Sequence, residues 1–141
     1  MSECIETDVL ILGSGVAGGV VALCLADAGI PVTLVTRAAD PNDSNTNLAQ
    51  GGIIYKGQED SPGLLVEDIL RAGAGHASRK AATLLAEEGP GLVQSILLER
   101  LGVEFDRVAD GALSLALEGG HSLPRIIHAA ISGSSRTISR S

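Results

Sequence analysis

The chain has 141 residues, 45% of them apolar, and its 17 acidic and 10 basic side chains give a formal net charge of −7. There is no basic cluster and no apolar run of the roughly 18 residues that a membrane span needs, which argues against nucleic-acid binding and against a spanning helix. Size and composition fit one globular domain, its core filled by Leu, Val, Ile and Ala because Tyr55 and Phe105 are the only aromatic residues.

No basic stretch precedes an apolar one in the first seven residues, so no secretory leader is expected. Cys4 and Cys24 are too few for a disulfide framework, and a reducing cytoplasm is the expected compartment. Val9 to Leu12, an apolar run of strand length, reads as a buried strand. It leads directly into Gly13-Ser14-Gly15-Val16-Ala17-Gly18, and an apolar helix is predicted from Val16 to Ala28. Strand, G-x-G-x-x-G and helix in that order form the dinucleotide fingerprint in the context it requires. Gly13 permits the tight turn, Gly15 lets a pyrophosphate approach the backbone, and Gly18 lets the helix pack closely on the strand. The first N–H groups of the helix and its dipole favour a diphosphate there. Cys24, in the apolar stretch of this helix, is expected to be buried.

Gly29-Ile30-Pro31 ends the helix, and Val32 to Val35 reads as a buried parallel strand. A chain built for NAD would place Asp or Glu about 20 residues into the motif, to hold the ribose hydroxyls. This strand ends instead in Val35-Thr36-Arg37. Two readings stay open on these residues. Arg37 meets a ribose phosphate, as in NADP enzymes, or the cofactor is FAD held mainly by other contacts. The loop from Ser44 to Ile53, S-N-T-N-L-A-Q-G-G-I, favours FAD, because small, hydrogen-bonding and glycine residues can run close beside a flat ligand. An ordinary polar surface loop would have the same composition.

Ser61-Pro62 starts a predicted helix over Gly63 to Arg71, and His76 is expected at a helix end, where a cation is favourable. Ser78 caps a second helix, Arg79 to Glu88, which Glu88-Gly89-Pro90-Gly91 should break. A third helix is predicted from Leu92 to Leu101, with Leu92, Val93, Ile96, Leu97 and Leu101 at helical spacing. Gly102 ends it, and Val103 to Asp106 reads as a short strand. These elements are assigned to packing.

Three blocks occur in order along residues 8–130: the glycine turn through Gly19, then Asn45-Thr46-Asn47-Leu48-Ala49-Gln50-Gly51-Gly52-Ile53, then Glu118-Gly119-Gly120-His121-Ser122 with Pro124-Arg125-Ile126-Ile127-His128-Ala129-Ala130. On them the chain resembles the L-aspartate oxidase family, part of the larger family of fumarate reductase and succinate dehydrogenase flavoproteins. The E-G-G-H-S block separates aspartate oxidases from their respiratory relatives better than the other two. The resemblance implies an α/β fold: residues 1–130 would be the truncated, N-terminal portion of a Rossmann-like FAD-binding domain, with its GxGxxG βαβ unit. It implies FAD as cofactor. Ser14, Gly15, Val16 and Ala17 would face its pyrophosphate, between Gly13 and Gly18. Arg37 would lie near the adenosine end, and Asn45, Thr46, Asn47, Leu48, Ala49, Gln50, Gly51 and Gly52 would line the flavin side. Glu118 would meet the amino group of the substrate. His121 either orients a substrate carboxylate, shuttles a proton or is structural, while His128 is given a packing or hydrogen-bonding role. No second Cys, His or acid stands at metal-ligand spacing from them, so no metal is expected.

The implied reaction is oxidation of L-aspartate to iminoaspartate, with reduced FAD reoxidised by oxygen or fumarate. The product would pass to quinolinate synthase on the way to NAD. Enzymes of the family are much longer, and their catalytic arginine and most substrate-binding residues lie outside the three blocks. The chain alone is therefore expected to be inactive. After Ala130 the family pattern gives way to I-S-G-S-S-R-T-I-S-R-S, five serines in eleven residues, so residues 131–141 are expected to be a disordered or out-of-frame tail. Three alternatives remain. A fumarate reductase or succinate dehydrogenase flavoprotein usually carries FAD on a histidine of the second block, but no histidine lies between residues 37 and 75. An NADP-dependent reductase using Arg37 would need a hydride-acceptor site that the sequence does not display. A non-catalytic FAD-binding remnant is the third.

Overall fold

The computed structural model describes residues 4–49 and 52–129. The chain divides into two compact units, residues 1–50 and 51–141.

The first unit is a βαβ element. Strand β1 (Val9–Leu12) leads into helix α1 (Val16–Asp27) and back to strand β2 (Val32–Val35). The strands are parallel, with Val9 opposite Val32 and Leu12 opposite Val35, and Gly13 N–H extends the ladder to Val35 O at 2.8 Å. Gly13 has φ +110°, a conformation that side chains resist. A Cβ on Gly18 would stand 2.0 Å from Gly13 O, so the close approach of helix to turn requires glycine there. Ile11 is the one buried residue among the described residues of this unit. No residue of α1 is buried, and Leu10, Leu12, Val16, Val21 and Val35 are exposed. Cys24 is therefore exposed, contrary to the expectation from its apolar setting. The two-stranded sheet covers too little of an apolar helix to bury it. The segment expected as a loop begins with a one-turn helix, α2 (Asn45–Leu48), because Ser44 accepts the N–H of Asn47 at 3.3 Å and nucleates the turn.

The second unit pairs β3 (Ile53–Ile54) antiparallel with β4 (Ile126–Ile127) and packs this ribbon with helices α3 (Pro62–Ala72) and α4 (Arg79–Leu92) and a π-helix (Val93–Arg100). Ser61 and Ser78 cap α3 and α4, and Pro62 occupies the first turn of α3, where its missing N–H costs nothing. His76 is not in a helix. Gly73 ends α3, and Ala74 and Gly75 follow with positive φ. The predicted break at residues 88–91 does not occur. Pro90 cannot bond to the carbonyl one turn back, at a cost of about 3 kcal/mol. Yet α4 continues to Leu92, and its ladder widens into the π-helix directly afterwards. Packing on both sides of Pro90 offsets the cost. Ala82 and Ala86 pack with Leu65 and Val66 before it, and Val93 packs with Tyr55, Phe105 and Ile127 after it. The π-helix supplies Gln94, whose Oε1 accepts the Tyr55 hydroxyl at 2.6 Å. Val103 to Asp106 forms no strand. Only Phe105 pairs, as a single bridge to Ala129.

One buried ionic node ties these parts together. Arg125 is fully buried. Its Nε and Nη2 donate to the two oxygens of Asp60, each at 2.8 Å, and its Nη1 donates to Asp68 Oδ2 at 2.6 Å. Asp60 also accepts from Gly57 N–H and Ser61 N–H. Asp68, on α3, accepts from Arg71 with its other oxygen. Two carboxylates against one guanidinium leave a surplus negative charge, which Arg71 answers from the surface. Burial alone would raise the pKa of Asp68. The Ser122 N–H, the Arg125 guanidinium and the Ser122 hydroxyl outweigh it and hold the carboxyl well below the usual carboxylate range. The Asp60 carboxyl is likewise lowered: burial opposes, and hydrogen bonds from Arg125 and Gly57 prevail. Depressed carboxylates stabilise the folded state above their unfolded pKa, about 3.9, and lose that contribution as pH falls through the folded value. Urea unfolding of the second unit should show stability that is flat above about pH 5 and falls steeply below about pH 4. Asp68→Asn should cost about 3–5 kcal/mol at pH 7 and flatten the acid limb. An unchanged acid limb would remove the node from the stability of this unit.

Candidate functional site

In the first unit the N-terminus of α1 is the chemically distinctive place. Gly15 caps the helix with an extended backbone, φ −69° and ψ 177°, and no side chain. Val16 and Ala17, in the first turn, are exposed. Such a turn presents orphan N–H groups and the positive end of a helix dipole. Two side chains brace it. Thr46 Oγ1 accepts from Val16 N–H at 3.0 Å, and the hydroxyls of Ser14 and Thr36 lie 3.2 Å apart. A Cβ on Gly15 would stand 3.2 Å from Thr46 Oγ1, so glycine keeps the space between turn and α2 open. The structure thus brings together Gly13, Ser14, Gly15 and Thr46 from two of the sequence blocks. Asn45, Asn47, Leu48 and Ala49 are exposed around α2, and Arg37 is exposed beyond β2, with no carboxylate at the strand's end. Gln50 and Gly51 lie outside the described residues, as do residues 131–141. The donor set suits a diphosphate. It fits FAD, whose pyrophosphate would take the α1 N–H groups.

In the second unit the third block forms a tight turn. Glu118 O accepts from His121 N–H at 3.2 Å, and Gly120 at the third position has φ +88°, the conformation for which such turns select glycine. Glu118 is 43% exposed, and its Oε1 lies 2.8 Å from His128 Nε2. A carboxylate only accepts here, so the proton is assigned to that nitrogen. Gly52 packs on β4 beside the same histidine: its Cβ would stand 2.1 Å from Ile126 Cγ2 and 3.0 Å from His128 Nε2. Gly52 thus lies against β4 with no room for a side chain. Glu118, His128 and Gly52 are brought together, and His121 is turned to another partner. Its Nδ1 receives Arg125 Nη1–H at 3.1 Å, which leaves its proton on Nε2.

Asp60, Asp68 and Arg71 carry no functional signal in the sequence, and Ser122 carries one only as a member of the third block. One structural signal is present. Asp68 lies on the buried face of α3 with Leu65, Val66 and Ile69, a charge in an apolar stripe. Among the described residues no buried side-chain polar atom lacks a partner, so the node is fully satisfied. None of these residues groups with two further Cys, His, Asp or Glu at metal-binding geometry among the described residues.

The chain is similar to several L-aspartate oxidases. It is 41% identical over 128 residues to that of Halobacterium salinarum, an alignment covering 91% of this chain and 24% of the relative. For the Streptomyces coelicolor protein the figures are 39% over 137 residues, 96% and 23%. The chain thus spans about a quarter of the length of these curated relatives. Among solved structures, the Mycobacterium smegmatis Sdh1 complex in the apo form superposes with a TM-score of 0.77 at 31% identity, covering 87% of this chain and 21% of the other. The open conformation of a flavocytochrome c3 fumarate reductase gives 0.72 at 28% identity, covering 92% and 22%. The family model described as FAD binding domain matches residues 8–139. With the glycine turn at its start and nearly the whole chain inside that match, this protein belongs to the FAD binding domain family.

Proposed function

We propose that this chain is the FAD-binding part of an L-aspartate oxidase, with residues 1–130 forming part of that domain. The observation that carries the reading is the identity of about 40% to L-aspartate oxidases over roughly nine-tenths of the chain. The α1 N-terminus and its Gly15 cap support it from the geometry. The partial exposure of Glu118 at the start of a glycine turn supports it from the chemistry.

In this reading Ser14, Gly15, Val16 and Ala17 hold the pyrophosphate, Arg37 neutralises the adenosine end, and the Asn45–Gly52 block lines the flavin side. Bound FAD supplies the acceptor for the hydride that leaves the substrate Cα. Glu118 accepts a charge-assisted hydrogen bond from the substrate ammonium, while His128 Nε2–H holds the other face of that carboxylate. His121 Nε2–H remains as a donor for a substrate carboxylate. The compartment is the cytoplasm, and the product passes to an enzyme that makes quinolinate. The likeness to fumarate reductase and succinate dehydrogenase structures favours a second reading, a fragment of those flavoproteins. The absence of histidine between residues 37 and 75 excludes their usual flavin attachment in this loop.

Gel filtration of the chain with FAD tests the cofactor half. Flavin absorbance should travel with the protein, and Gly15→Val should weaken flavin binding about 100-fold in Kd: the Gly15 backbone suits an L side chain, but Thr46 Oγ1, 3.2 Å from the new Cβ, must move aside. Retention of nicotinamide in place of flavin would overturn the reading. Aspartate turnover by the flavin-loaded 141-residue chain is expected to be absent. In a full-length L-aspartate oxidase bearing these residues, Glu118→Gln should raise KM for L-aspartate about tenfold or more. Unchanged kinetics would remove Glu118 from the site.

A further inference from the structure

We propose that Asp68 is the positioning residue of the Glu118–Ser122 turn, acting directly and through Arg125 and Arg71 to set where Glu118 and His121 stand. The inference rests on the reading that Glu118 meets a substrate ammonium.

The turn cannot hold itself. It contains Gly119-Gly120, the dipeptide with the most backbone freedom to lose, and its own closing bond is a long one, 3.2 Å from His121 N–H to Glu118 O. Beside the contact of the Glu118 side chain with His128, its restraint comes from outside, on three successive residues. Gly120 O accepts from Arg71 Nη2 at 3.4 Å. His121 Nδ1 accepts from Arg125 Nη1 at 3.1 Å. Ser122 donates twice to Asp68 Oδ2, from N–H and from its hydroxyl, each at 2.8 Å. Every one of these contacts is made by Asp68 or by an arginine that Asp68 binds. Asp68 itself is 3% exposed and sits on a helix anchored by Leu65 and Val66, which gives the turn a rigid support.

Charge balance alone does not account for this arrangement. Asp60 already pairs with Arg125 through two parallel bonds. The two bonds from Ser122 neutralise nothing. They fix the end of the turn.

Amide exchange and imidazole ¹⁵N spectra of the 141-residue chain test the proposal. Ser122→Ala removes one bond to Asp68 and leaves the ion pairs whole. The amides of Gly119 to Ser122 should then exchange about tenfold faster, as expected for loss of a hydrogen bond to a charged group. The ring signals of His121 and His128 should move, while the amides of Tyr55 and Ile126 keep their rates. Asp68→Asn should produce the same pattern more strongly. Should that variant fail to fold, Ser122→Ala still decides. Turn amides and ring signals that stay put, or turn amides that rise in step with Tyr55, overturn the proposal. None of these signals needs flavin or aspartate. A chain that fails to hold FAD therefore sinks the functional reading, and a flavin-loaded chain with an unmoved turn sinks the positioning role.

Discussion

Arg125 has no contact with water, and the second unit is organised by what that requires. A buried guanidinium must be paired and hydrogen-bonded through its whole fork, or it costs several kcal/mol. Asp60 and Asp68 meet the requirement from positions 65 and 57 residues away in sequence. Doing so brings the start of α3, its second turn and the strand β4 to one point. Tyr55 N–H bonding to Arg125 O at 2.8 Å adds β3 to the same junction. The apolar clusters around Tyr55 and around Leu65 then lie on elements whose mutual placement the ions already constrain. Hydrophobic burial supplies most of the stability of such a unit, but it is not directional. The node is the directional part.

The first unit follows a different logic. Its functional element is made of backbone: a tight turn, a cap without a side chain and the first N–H groups of a helix, of which Val16 N–H is held by Thr46. Side chains there have only to stay out of the way or brace the turn, as Thr46 and Ser14 do. The rest of the unit is notable for what it leaves uncovered. An apolar helix in which no residue is buried, beside strands with Leu10, Leu12 and Val35 exposed, is a helix of interior type with one small sheet against it.

This contrast explains what could be read from the sequence. The β1–α1–β2 element was legible almost to the residue, because its signals are local: apolar runs of the right length, glycines at fixed offsets, Gly29 and Pro31 closing the helix. The caps Ser61 and Ser78 were legible for the same reason. The continuation of α4 through Pro90 was not. Local propensity opposes it, and the packing of Val93 against Phe105 and Ile127, far along the chain, overrides that propensity. Cys24 failed in the other direction. Its apolar neighbourhood predicts burial, but burial needs a covering surface that no local pattern can report. The node was hidden because its members are ordinary charged residues until the fold joins them. The turn at Glu118 was found by resemblance, and so were Ser122 and Arg125 as members of its block, while Asp68 and Arg71, which complete its support from α3, were not.

The chemistry of Arg125 shows why the substitution space at the node is narrow. A lysine would keep the charge and about the same length, but it offers a compact ammonium in place of a planar fork. Arg125 serves both oxygens of Asp60, one oxygen of Asp68 and Nδ1 of His121 with the three nitrogens of one rigid plane. No rotamer of lysine spans those directions. The histidine contact would be the first to go, since a single ammonium would settle between the two carboxylates. The ionic stability of the fold could then survive in part while the orientation of His121 was lost. Stability and site geometry thus make different demands on the same side chain, and the fork of arginine is what satisfies both.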